Sequence, residues 1–180
     1  MITVRAMRMD DVDAVSTIRV RGWQAAYAGI VPRSYLDAMS VEEDAFLRRK
    51  WLTTAGNRAE NLVATEDGVV TGWAALGPRA GEPREPREPG GGVACELYAL
   101  YVRPDRIGTG TGRRLMSAVR SRAAELGHLR LEFWVLADNT RARRFYARAG
   151  FSPDGAEQVE EYDGVSLRDL RYTGDTSAPA

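Results

Sequence analysis

Residues 96–116 read ELYALYVRPDRIGTGTGRRLM, and this stretch decides the fold. Its first part continues a run that begins VAC at Val93, and the whole of 93–102 is rich in β-branched and aromatic residues, the composition of a strand. Pro104 stops that strand, since proline has no N–H to give a ladder. Gly108, Gly110 and Gly112 then stand at alternate positions, where side chains are removed so that a backbone can bend sharply or be touched closely. From Arg113 onward Leu115, Met116, Val119, Ala123 and Leu126 recur at helical spacing, and Gly127 ends the pattern.

A strand, a glycine turn and a helix start attract phosphate, because unpaired N–H groups and the helix dipole point at it. Two phosphate motifs are nonetheless excluded. A Walker A loop needs Gly-Lys-Ser/Thr at its end, and Gly112 is followed by Arg113 and Arg114. A dinucleotide fingerprint needs G-x-G-x-x-G after the first strand of a βαβ unit, whereas this spacing is G-x-G-x-G and lies late in the chain. By itself the loop serves equally as a phosphate cradle or as a glycine-rich connection flanked by solvated arginines.

Working outward, Ile2 to Arg5 alternate like a strand, and residues 9–27 carry apolar positions Val12, Val15, Ile18, Ala25 and Ala26, with Asp10 as the expected cap. A short helical piece follows Pro32, and residues 41–52 form a helix with acid early and base late, as the dipole prefers. Residues 61–76 read as a hairpin turning at Asp67-Gly68. The segment 77–92, with its repeated Glu-Pro-Arg unit, is expected to be an extended, mobile loop. Beyond the central helix, residues 129–136 are a strand, 138–150 a helix closed by Gly150, and 157–172 a hairpin turning at Asp163-Gly164. Residues 174–180 are expected to fray, leaving 1–173 as one domain. Hairpins outnumber crossovers, which predicts an α/β chain of the α+β kind built on a mixed sheet.

Composition narrows the function. At 180 residues one core suffices without staples, and the lone Cys95 and lone His128 cannot build an internal disulfide or a Cys/His zinc site. The 25 basic residues balance 25 acidic ones, which argues against a polyanion binder and so against nucleic acid as a partner. No stretch approaches the ~20 apolar residues of a membrane span, and a cytoplasmic setting is expected. No G-x-S-x-G elbow is present, so a Ser/His/Asp hydrolase lacks its nucleophile.

Residues 96–116, followed by LEFWVLADNTRARRFYARAGF at 131–151, resemble the GNAT superfamily of acyl-CoA-dependent N-acetyltransferases. The opening ITVRAMRMDDVDAV is similar to that family's first strand and helix. The resemblance implies a mostly antiparallel twisted central sheet flanked by helices, acetyl-CoA as acyl donor without a metal, and a small-molecule or peptide amine as acceptor. It leaves a homodimer open, since the family often forms dimers. Carried over by position, Leu100, Tyr101 and Val102 would pair by backbone with the pantetheine arm. Ile107, Gly108, Thr109, Gly110, Thr111, Gly112 and Arg113 would hold the pyrophosphate, and Asn139 would hydrogen-bond the cofactor. One departure stands out: the family's leading Gln/Arg falls on Ile107, with Arg106 one place early, so charge is expected from Arg113 or Arg114.

Acyl transfer to an amine needs a base for the ammonium, a stabilised oxyanion and an acid for the leaving thiolate. By the resemblance Glu96 is the base, although water alone serves in many members; a two-residue period would place Glu96 on the face of Val102. Tyr146, seven residues after Asn139, resembles the family's thiolate-protonating tyrosine; the alternative is packing beside Phe145. Backbone N–H groups near Tyr101 or Val102 would meet the oxyanion. Cys95 points away from Glu96 and reads as a buried inert thiol. Trp23, Tyr27, Tyr35 and Trp134 are the acceptor-side candidates, with core packing the competing reading for Trp23 and Trp134. A CoA-binding sensor without catalysis is the alternative function.

Overall fold

A computed structural model describes residues 1–79 and 94–177. Most of the Glu-Pro-Arg segment and residues 178–180 lie outside the described residues. In chain order the elements are β1 (Ile2–Ala6), α1 (Val12–Ala26), α2 (Arg33–Asp37), α3 (Val41–Leu52), β2 (Glu60–Glu66), β3 (Val69–Pro78), β4 (Ala94–Val102), α4 (Thr111–Glu125), β5 (Arg130–Leu136), α5 (Thr140–Arg148), β6 (Ser152–Tyr162) and β7 (Val165–Asp175). The strands form one seven-stranded sheet in the order β1-β2-β3-β4-β5-β7-β6. Every pairing is antiparallel except β4 with β5, which are joined by the crossover helix α4. The mixed α/β sheet expected from the hairpin count is what the chain forms.

Local chemistry explains the joints. Asp67 and Asp163 take φ of 51° and 47°, and the glycines after them φ of 81° and 79°, so both Asp-Gly pairs make the hairpin turn with two positive φ angles. Asp11, rather than the expected Asp10, secures the start of α1. Its carboxylate accepts from both terminal guanidinium nitrogens of Arg5, Nη1 and Nη2, at 2.6 and 2.8 Å and from the Arg8 N–H at 2.7 Å, which ties β1 to α1. The Arg5 hydrogen bonds hold this carboxyl below its usual range despite its burial. Ser40 caps α3 by accepting from Glu43 N–H at 3.2 Å.

The sheet has a core on each face. On one, α4 lays Leu115, Met116, Val119 and Ala123, all fully buried, against Leu62, Leu76, Cys95, Leu97, Leu131 and Phe133. Each large apolar side chain so buried contributes about 1.5–3 kcal/mol. Leu126, expected on that stripe, lies past the end of α4 and is exposed. On the other face α1 packs Val15 and Ile18 against Val63, Val70 and Trp73. Ala25 and Ala26, expected inside, are exposed, and Ala26 borders a cleft rather than the core.

Two boundaries move outward from their expected positions. Gly77 and Pro78 belong to β3 and not to the following loop, since they pair with Glu96 and Cys95 of β4. Gly174 and Asp175, assigned to the frayed tail, continue β7 opposite Leu131 and Arg130, and Thr176 donates from its hydroxyl to His128 O at 2.8 Å. In each case an adjacent strand offers backbone partners that local sequence does not reveal. No helix among the described residues is long and apolar enough to cross a membrane.

Candidate active site

The parallel ladder between β4 and β5 is short. It pairs Ala94 with Arg130, Cys95 with Leu131 and Glu96 with Glu132, and there it ends. Above that point the strands part, and a cleft of about 550 Å³ opens between Leu97–Val102 on one side and Phe133–Val135 on the other. Residues of α1, of the glycine loop and of α5 close it.

A β-bulge aims the side chains of β4. Ala99 opposes Ala75 and Leu97 opposes Leu76, so Tyr98 is the extra residue. The insertion reverses the alternation: Cys95 and Leu97 face the α4 core and so do Leu100 and Val102, whereas Ala99 and Tyr101 face α1. Glu96 therefore lies on the face opposite Val102, which corrects the two-residue expectation. It occupies the last rung below the cleft and is not one of the cleft-lining residues. Cys95 is fully buried on the other face, where desolvation pushes its thiol up to about 12, as suits an inert group.

The glycine loop closes one end of the cleft. Gly108 and Gly110 take φ of 89° and 98°, and nothing lies within 4 Å of where a Cβ would stand on either. Gly110 caps α4, and the first bond back along the helix runs from Arg114 N–H to Gly110 O at 3.0 Å, so the preceding N–H groups are not used by the helix. Thr109 donates to Arg106 O at 2.7 Å, and its hydroxyl is 3.1 Å from that of Thr111. Of the two arginines that follow, Arg113 lines the cleft and Arg114 does not. Ile107 lines it too, but Arg106 is drawn aside by Glu66 at 3.6 Å and Asp105 at 3.9 Å. Open glycine backbone, a helix N-terminus and an arginine suit a pyrophosphate, and the edge of β4 that β5 leaves unpaired above Glu96 suits an extended amide-bearing arm.

Tyr146 lines the cleft from α5, its ring 4.3 Å from Phe133 and 5.1 Å from Phe145. Burial raises its phenol pKa, which keeps it protonated at neutral pH. Asn139 also lines the cleft, but its side-chain oxygen caps α5 by accepting from Ala142 N–H at 3.1 Å; the amide NH₂ is the group left for a ligand. Across the cleft the Tyr27 and Tyr101 hydroxyls lie 3.4 Å apart. Both phenols are pushed up by burial. α1 reaches Tyr101 through Gly22, where a Cβ would stand 3.0 Å from the ring. Tyr27 and Trp134 line the cleft, whereas Trp23 and Tyr35 do not and pack with Val31, Leu36 and Leu136. Arg141 also lines it; its place two residues after Asn139 was the one available signal.

With this geometry in view, likeness to known proteins is decisive. Residues 23–151 match the model of the acetyltransferase (GNAT) family. The chain belongs to that family. It is 28% identical over 171 residues to an uncharacterized N-acetyltransferase of Bacillus subtilis, covering 94% of this chain and 91% of the relative. Its fold is shared with the PaiA N-acetyltransferase of Thermoplasma acidophilum solved in complex with coenzyme A (TM-score 0.72, 20% identity, 97% and 99% of the two chains). It is shared also with an acetyltransferase of Salmonella typhimurium solved with acetyl-CoA (TM-score 0.68, 22% identity, 100% and 96%). As a GNAT protein the chain departs from the family pattern at Ile107, and Arg106 does not fill the gap, because Glu66 and Asp105 hold it.

Proposed function

We propose that the protein transfers an acetyl group from acetyl-CoA to an amine of a small molecule or peptide, both substrates being bound together. The observation that carries this reading is the parting of β4 and β5 above Glu96 and Glu132, which leads from an unpaired strand edge to the glycine loop and passes Tyr146. The arm of the donor pairs with Leu100, Tyr101 and Val102. Ile107 to Arg113 hold its pyrophosphate, and the Asn139 amide donates to it.

Tyr146 delivers the proton that the departing thiolate takes up, a role for which a phenol kept neutral by burial is suited. N–H groups of the unpaired β4 edge meet charge developing on the carbonyl oxygen. Glu96 stands one rung below the cleft and draws the amine proton through an intervening water. The Tyr27 and Tyr101 hydroxyls flank the acceptor amine, and Trp134 walls its far side. A silent CoA sensor is disfavoured, since it would have no use for Tyr146 at that position.

The test has two stages. Acetyl-CoA at millimolar concentration should raise the melting midpoint of the protein, and an unchanged midpoint would end the proposal. Thiol release across a panel of amines then separates enzyme from sensor. Glu96→Gln should lower kcat by roughly 10²-fold while leaving the CoA-induced shift intact.

A further inference from the structure

Next to the cleft-lining Trp134, though not itself lining the cleft, lies a buried carboxylate that forms no ion pair among the described residues. Asp169 on β7 is 7% exposed, and its carboxylate accepts from Gln158 Nε2 at 3.3 Å. Among the described residues no arginine or lysine forms an ion pair with it. The nearby cations of β7 are committed elsewhere: Arg171, two positions along the same face, to Asp154 at 2.7 Å and Glu132 at 3.8 Å, and Arg168 on the opposite face to Glu157 at 3.2 Å. Taking a carboxylate out of water without a counter-charge costs several kcal/mol, so a chain holding 25 basic residues would ordinarily supply one.

The surroundings of Asp169 are suited to an organic cation. Asp169 is opposite Leu136 in the β5–β7 register, and Trp134 is opposite Arg171. Asp169 is thus the diagonal neighbour of Trp134, about 7–8 Å away and on the same face. Tyr27, which lines the cleft, and Tyr162 pack in one cluster with Leu136, the residue opposite Asp169, and the Asp169 charge adds to the burial that raises both phenols. Tyr162 and Tyr35 meet edge to face at 5.1 Å, and Trp23 and Tyr27 at 4.7 Å, so the wall beside the carboxylate is built of rings. Ring faces attract cations, and more strongly where water is excluded. Glu160, one rung from Gln158 on that face, adds negative charge.

We propose that Asp169, with the rings of Tyr27 and Tyr162, receives a second protonated nitrogen of the acceptor, so that the preferred acceptor is a small diamine. This rests on the acetyltransferase reading above for the fate of the first nitrogen. The site discriminates by charge: a monoamine leaves Asp169 unpaired, and an amino acid brings a carboxylate against Asp169 and Glu160.

Calorimetry reads the site without turnover. Titrations of 1,4-diaminobutane, n-butylamine and 4-aminobutanoate into the free and the CoA-loaded protein at neutral pH should show the diamine binding at least about tenfold more tightly than the other two. Asp169→Asn should bring the diamine and n-butylamine within about twofold of each other, and the ratio of their acetylation rates should fall in parallel. Tyr162→Leu and Glu160→Gln, neither at a fully buried position, should each lower the diamine preference even if Asp169→Asn does not fold. Equal binding of the three amines, no binding of any, or a preference untouched by all three variants overturns the proposal. Failure of CoA to shift the melting midpoint sinks the acetyltransferase reading alone, because diamine binding to the free protein is read separately.

Discussion

The two ends of the cleft are built from different materials. The donor end is mostly backbone: an unpaired strand edge, two glycines at positive φ and the start of α4. The proposed acceptor end is made of side chains drawn from α1, β4 and β5, among them Tyr27, Tyr101 and Trp134, with the Tyr27 and Tyr101 hydroxyls 3.4 Å apart. Backbone recognition tolerates changes of side chain, and it suits a donor of constant shape. A wall of side chains can be rebuilt one residue at a time, and it suits an acceptor that differs from one family member to another.

The sharpest way to break this contrast is at Tyr146, the side chain to which the proposed reaction assigns the proton for the leaving thiolate. Tyr146→Phe should cut kcat by ~10²–10⁴-fold with little change in the CoA-induced melting shift; a rate within twofold of the parent would remove its acid role. Next in size is Gly110→Val. At φ of 98° a β-branched residue is strained by roughly 1–2 kcal/mol, so CoA affinity should fall about tenfold. The Michaelis constant for the acceptor should hold, and a parallel loss at both ends would erase the distinction.

Ile107→Arg tests the departure from the family pattern. Ile107 is 37% exposed, so a guanidinium there should tighten CoA binding only about two- to fivefold, corresponding to ~0.5–1 kcal/mol. Titration calorimetry would show it, and weaker binding would mean that the loop needs the apolar side chain.

The smallest effect is expected at Asp169. Burial raises its carboxyl pKa, so between the unfolded value near ~3.9 and the folded one the native state binds the extra proton, and stability falls as pH rises through that window. Asp169→Asn should therefore raise the melting midpoint slightly at neutral pH and leave it nearly unchanged at pH 3. A drop at neutral pH would show that the Gln158 hydrogen bond outweighs the buried charge.

Legibility followed the same division. The Asp-Gly turns and the glycine loop depend on φ angles and on groups a few residues apart, so each could be read locally. The parity of β4 could not, because the extra residue at Tyr98 appears only when β4 is laid against β3, and nothing in ELYALYV marks it. Among the four aromatic candidates spacing made no distinction, yet Tyr27 and Trp134 line the cleft while Trp23 and Tyr35 join a core.

Sequence alone determined the order of the elements, the mixed sheet and the place of the glycine loop between strand and helix, since these rest on periodicity, turn chemistry and the freedom of glycine. Only the tertiary structure decided where β4 and β5 part, which face Glu96 takes, which arginine reaches the cleft and which buried carboxylate forms no ion pair among the described residues. Those outcomes depend on strand register and on charge partners far apart in the chain, and each is set by a neighbour that local sequence does not contain.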